Sequence, residues 1–419
     1  MKLSSILPQV AIGAALIVAI SSCSENLDSS GACDVLCPSI GGSVQTTTID
    51  AVVIDTTVQA LSGLGTEPAL LLANRGDTLD ARVIIRFDSL PQKFVPKNDT
   101  SQAITSVDSA YILLRVDTLH IKGAEVVTIE AYDVDTTAND TSTADVLSLF
   151  RPDRLISSET FPRSQLVDSL KYHIDNAFVL SKLQNGQPLR IGLRATGTTS
   201  SQITFASTEG GLSPILFFRA TPDTATAPLA VVPFSRTPAG ESLVAQHLTD
   251  YTLIAKGPPA APPSTLSVGG LPPRRVYVRF DIPSSIIDSS TVVRATLLLN
   301  QIPNSSLDPG DTIRVVPQVV LAGPVVTDPT KAAQIIANIS ADTLRITAGH
   351  GGNVEVDLAN AFTLWRTQKA DTLPRAIVLK STVEGTSPIE MRFSSSEDAA
   401  TLRPRLRISY TTRVPLGLP

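Results

Sequence analysis

Arg82-Val83-Ile84-Ile85-Arg86-Phe87-Asp88 is written again, nearly unchanged, as Arg275-Val276-Tyr277-Val278-Arg279-Phe280-Asp281. Val83, Ile85 and Phe87 share one face in the first copy, and Val276, Val278 and Phe280 in the second; Arg, Ile or Tyr, Arg and Asp take the other. A period of two with β-branched and aromatic members predicts a half-buried β-strand. A strand repeated this closely predicts duplication of a whole domain.

Working outward, the flanking blocks recur in the same order. Asp55-Thr56-Thr57-Val58 is answered by Asp250-Tyr251-Thr252-Leu253, and Ser109-Ala110-Tyr111-Ile112-Leu113-Leu114 by Arg294-Ala295-Thr296-Leu297-Leu298-Leu299. Asn176-Ala177-Phe178 returns as Asn360-Ala361-Phe362, the start of a short helix in each copy. Phe205-Ala206-Ser207-Thr208-Glu209 with Pro214-Ile215-Leu216 becomes Phe393-Ser394-Ser395-Ser396-Glu397 with Pro404-Arg405-Leu406. Short strands separated by turn residues predict an all-β chain: two tandem antiparallel β-sandwich domains of jelly-roll type over 46–221 and 240–412. They are joined by a linker at 222–239 and followed by a tail at 413–419.

Composition agrees. The 419 residues are 42% hydrophobic and 17% charged, with 30 prolines, which suits folded domains rich in turns. A net charge of −5 without a basic run excludes nucleic acid as a partner class.

The N-terminus carries an address. Lys2 precedes an apolar run from Ile6 to Ile20 that is shorter than the ~20 residues a spanning helix needs and matches a signal-peptide core. Ile20-Ser21-Ser22-Cys23 resembles a bacterial lipobox, so 1–22 reads as a lipoprotein signal peptide and Cys23 as the lipidated residue. Several acyl chains on one residue anchor firmly, at about 0.8 kcal/mol per buried methylene. Residues 23–45 read as a flexible linker, and the oxidising compartment implies a small disulfide between Cys33 and Cys37. The expected location is therefore exported and lipid-anchored, at the outer membrane or cell surface.

The order of an Asp-x-Thr opening, a strand ending in Arg-Phe-Asp, an Ala-x-Leu-x-Leu strand and a closing Phe-x-Ser-x-Glu with its Pro-x-Leu strand resembles the disaggregatase-related (DNRLRE) domains. The Val107-Asp108-Ser109-Ala110 block is similar to lipoproteins of the Bacteroidetes. The resemblance implies jelly-roll modules of secreted proteins, some of which bind carbohydrate.

Candidate sites follow from chemistry. Arg86 and Arg279, each two residues before an Asp on a polar strand face, suit either a groove gripping acidic sugars or an internal ion pair, with Glu209 and Glu397 as partners. Tyr277 falls on the polar face and is the aromatic expected to stack on a sugar. Trp365, three residues after Phe362, fits a core helix face. Asp133, Asp135 and Asp140 cluster hard oxygen ligands that calcium would take, although the loop lacks the central Gly and terminal Glu of an EF-hand; no other cofactor is implied. Asp-Ser/Thr-aliphatic triads recur, at Asp88, Asp108 and Asp168 among others. They read as turn residues leading into strands or as glycosylation acceptors. No nucleophile–base set is apparent, so the expected function is a non-catalytic binding module for polysaccharide or another glycan. A structural or adhesive spacer is the alternative.

Overall fold

The computed structural model describes residues 43–50, 52–60, 64–95, 100–118, 121–123, 125–135, 142–221, 228–236, 248–339, 343–368 and 373–413. Cys23, Cys33, Cys37 and Asp140 lie outside them. The described chain is almost entirely antiparallel β-structure, organised as two β-sandwiches.

In the first sandwich, one sheet runs through Leu155–Pro162, Val126–Asp133, Leu189–Thr196, Asp80–Phe87, Ala69–Asn74 and Ser201–Ala206. A four-stranded sheet of Ser169–His173, Ser106–Arg115, Ile215–Thr221 and Leu229–Val231 faces it. Between them Val83, Ile85, Phe87 and Ile191 meet Ile112, Leu114, Tyr172, Leu216 and Phe218. The second sandwich has Arg274–Phe280 in the place of Asp80–Phe87, but its strands form one continuous twelve-stranded sheet, the layers being joined through Gln301–Phe393 and Ile302–Arg392. The short helices form at Asn176–Gln184 and Ala359–Thr367, and Trp365 is buried against Phe362 at 5.1 Å between ring centroids.

The strands do not stay with their own repeat. Val52–Gln59, at the start of the first repeat, pairs with Arg274–Phe280 in the second sandwich. Its repeat partner Asp250–Lys256 pairs with Asp80–Phe87 in the first. The outer strands behave likewise: Gln45–Ile49 pairs with Arg405–Thr412, and Leu229–Val231 with Ile215–Thr221. In chain order, 45–59 belongs to the second sandwich, 69–256 to the first, and 265–412 to the second again. The first sandwich is thus a continuous insert within the second. The proline-rich stretch 257–264 is the return crossing.

Each displaced strand is held by the same two side chains. The Asp250 carboxylate accepts the Thr208 N–H at 2.9 Å, and Asp55 accepts the Ser396 N–H at 2.6 Å. Two residues on, the Thr252 hydroxyl accepts the Leu71 N–H at 2.9 Å and Thr57 the Ser267 N–H at 2.8 Å. The Asp-x-Thr opening and the Ser-Thr/Ser-Glu turn are therefore two halves of one fastening. It satisfies backbone donors that a sheet ladder would otherwise claim.

Both faces of Asp80–Phe87 and Arg274–Phe280 are covered. Outside the main core, Ile84 packs with Tyr132, Val146 and Tyr251, and Tyr277 with Val58, Val320, Ala332 and Val378. The sandwiches meet through Leu271, packed on Leu79 and Ala81, and through Lys122, which hydrogen-bonds Asp311 and lies 3.5 Å from Asp308.

Candidate functional site

The residues singled out in the sequence are mostly structural. Asp88 is buried and receives both Arg190 Nε and Nη2, at 2.8 and 2.9 Å, with the Arg236 N–H at 3.0 Å and Arg86 at 3.6 Å. Burial alone would raise its carboxyl pKa. The Arg190 and Arg236 hydrogen bonds and the charges of Arg86 and Arg190 outweigh that and hold it below the usual carboxylate range. Arg86 is only 2% exposed, so it is part of an internal ion pair and does not line a groove. Glu209 lies instead beside Asp250 at the strand fastening.

Tyr277 is fully buried, which corrects its reading as a sugar platform: no ring face is open. Alternation placed it on a polar face, but a second apolar layer covers that face. Arg279, opposite Ala376 where the first copy has Arg190, is half-buried, and Asp281 is exposed.

Of the residues expected to hold calcium, Asp140 lies outside the described residues, and Asp133 and Asp135 face cationic side chains. Lys182 Nζ lies 3.2 Å from Asp133 and 3.3 Å from Asp135, Arg154 reaches Asp133 at 3.7 Å, and Arg190 reaches Asp135 at 3.6 Å. Three cations already occupy the space a metal would need. Among the described residues no group of three or more His, Cys, Asp or Glu is arranged to hold an ion.

A cluster of outward-facing rings lies elsewhere, on the outer face of the four-stranded sheet of the first sandwich. In Ser106–Arg115, Ala110, Ile112 and Leu114 point into the core, so Tyr111 and Leu113 point outward. Register then does the rest. Tyr111 stands directly opposite His173 on one side and Phe217 on the other, and Leu113 opposite Lys171 and Ile215. Because adjacent strands are ~4.8 Å apart, three rings fall in a row across the sheet. Tyr111 and Phe217 are stacked, with centroids 5.3 Å apart and planes 22° from parallel. His173 meets Tyr111 edge-on at 6.4 Å, and Lys171 Nζ sits 5.3 Å from the tyrosine ring. His173 Nδ1 is 2.8 Å from Glu159 Oε1, which also accepts the His173 N–H at 3.1 Å. The imidazole is thereby oriented at the edge of the row.

The second sandwich does not repeat this surface. Thr296 replaces Tyr111, Arg407 replaces Phe217, Asp357 replaces His173 and Glu355 replaces Lys171. Glu355 pairs with Arg407 at 3.0 Å and Arg294 at 3.4 Å. The core positions of these strands stay apolar in both copies, so the copies diverge on the outer face and not in the fold. Tyr111 and Phe217 escaped the sequence reading because they lie on different strands. The available signal was an aromatic at an outward position of each.

No family model matches the chain, and no curated protein does. The disaggregatase-related resemblance therefore rests on its motifs. Among solved structures, the tandem CBM22-1-CBM22-2 domain of Paenibacillus barcinonensis Xyn10C is similar at 9% identity and a TM-score of 0.13, over 88% of this chain and 99% of that one. The infectious bursal disease virus Gt strain structure is similar at 10% identity and a TM-score of 0.14, over 90% and 76%. At such scores neither carries an argument, and the assignment to two β-sandwiches stands on strand pairing.

Proposed function

We propose that this chain is an exported, lipid-anchored surface protein that binds carbohydrate, without catalysis, on the outer face of its first sandwich. The carrying observation is the His173–Tyr111–Phe217 row with Lys171 beside it. A pyranose presents a flat apolar face of C–H groups, which near-parallel rings can cover, and equatorial hydroxyls, which an ammonium and an imidazole can engage. Strands bearing the row hold it rigid, so little order has to be created on binding. The Ile20-Ser21-Ser22-Cys23 motif supports the anchor.

The test is a glycan array probed with soluble residues 43–413. Binding is expected for the parent and is expected to fall at least about tenfold in Tyr111→Ala and in Phe217→Ala, since each removes one stacked ring. Unchanged binding in both variants would remove the row from the function. A blank array for the folded parent would instead favour a spacer or adhesive role for the sandwiches.

A further inference from the structure

We infer that the open edge of Gln45–Ile49 is a self-association surface, on which the same strand of a second copy pairs antiparallel about Thr47. The strand lies at one end of its sheet and is paired on one side, to Arg405–Thr412. Among the described residues no strand takes its other side, so backbone N–H and C=O groups there are left for another chain.

Sheet edges are normally blunted by proline, lysine or a bulge, and two other edges of this chain follow that rule. Leu155–Pro162 carries a bulge after Leu155 and ends in proline. Leu229–Val231 is the first sandwich's counterpart of the open edge, since Val231 faces Leu216 as Ile49 faces Leu406. It is three residues long, and Pro228 stands where the second sandwich has Thr46. Gln45-Thr46-Thr47-Thr48-Ile49 has none of these devices. The same edge is blocked in one sandwich and open in the other, so the fold does not require it to be open.

The sequence of the strand selects the partner. Pairing with itself about Thr47 sets Thr46 opposite Thr48 and Gln45 opposite Ile49. Odd positions meet odd and even meet even, so the backbone groups that point outward find each other by two-fold symmetry. The strand carries no charge, and Asp50, the nearest, falls opposite Val44 and not a second acid. Thr46 and Thr48 are exposed, with Thr46 Oγ1 2.9 Å from Ser409 Oγ, so hydroxyls would run across the axis from one sheet to the next. Threonine pairs of this kind stabilise adjacent strands. So short an edge buries little area, and the dimer is therefore weak and concentration-dependent.

The experiment is sedimentation equilibrium of the full chain over a range of concentrations, with folding followed by circular dichroism. The parent is expected to show a reversible monomer–dimer equilibrium. Thr46→Lys with Thr48→Lys sets lysine opposite lysine across the axis and should weaken the dimer by about tenfold or more. Thr46→Lys with Thr48→Glu sets each lysine opposite a glutamate and should restore the dimer. Both positions are exposed, so unchanged spectra are expected, and the charge reversal separates edge pairing from association through acyl chains. A parent that stays monomeric overturns the inference and leaves the edge to a strand of another chain or to none. So does a dimer indifferent to the lysine pair, or one that the lysine–glutamate variant fails to restore.

Discussion

Asp88 is the residue on which most of the charge at one end of the first sandwich depends. Its carboxylate is buried and matched by Arg190, Arg86 and a backbone N–H, and Arg190 continues to Asp135 and thence to Lys182. Removing one partner of a buried pair leaves the other charged and dry, so Arg190→Ala is expected to destabilise the first sandwich by about 3 kcal/mol in urea unfolding. Because the folded-state pKa of Asp88 is lowered, its contribution is present above the ordinary carboxylate range and is lost as pH falls through the folded value. In the sequence, Arg86 and Asp88 were legible as an internal pair because they are two residues apart on one face. Arg190 was not, since it reaches Asp88 from 102 residues away. Tyr277 was misread for a related reason. Alternation reports a buried face only when the other face meets water, and the strand Arg274–Phe280 is covered on both.

The displaced strands are the elements that join the two repeats, and their fastening is open to test. Thr252→Val leaves the buried Leu71 N–H without an acceptor. A loss of about 1–3 kcal/mol is expected, with faster hydrogen exchange at Leu71, and Thr57→Val should do the same through Ser267. The fastening in the first sandwich is also sensitive to pH. Burial and the nearby Asp250 push Glu209 up to about 7 from an ordinary 4.5, and burial raises Asp250 and Glu67 as well. A raised carboxyl pKa means that the folded state binds the proton more tightly. The stability it contributes is complete at low pH and is lost as pH rises through the folded value. The thermal midpoint of the first sandwich is therefore expected to fall between about pH 4.5 and 7, and Asp250→Asn should flatten that slope. The Asp-x-Thr strand was legible as a repeat, and so was the turn it binds. Their pairing across repeats was not, because both copies present the same pattern and periodicity does not say which partner a strand takes.

At the scale of the molecule, the insertion separates repeat boundaries from structural ones. A fragment spanning 64–256 holds every strand of the first sandwich and is expected to melt cooperatively by circular dichroism. A fragment cut at the repeat, 46–221, lacks Asp250–Lys256, leaves the edge of Asp80–Phe87 unpaired and should aggregate or stay unfolded. The duplicated all-β architecture was legible from the matched blocks, because core alternation survives on every strand. The insertion was not, as it depends on two connectors. Both pass the same turn: Ala60 donates to the Pro273 carbonyl at 2.8 Å, and Gly257 lies against the Leu271 carbonyl. This arrangement has a mechanical result. A pull applied between Gln45 and the first sandwich must run through residues 45–59. Pulled along its own axis, Val52–Gln59 loads its bonds to Arg274–Phe280 side by side, so they share the force instead of failing one at a time. The strand pairing of the second sandwich therefore resists a pull that is transmitted to the first.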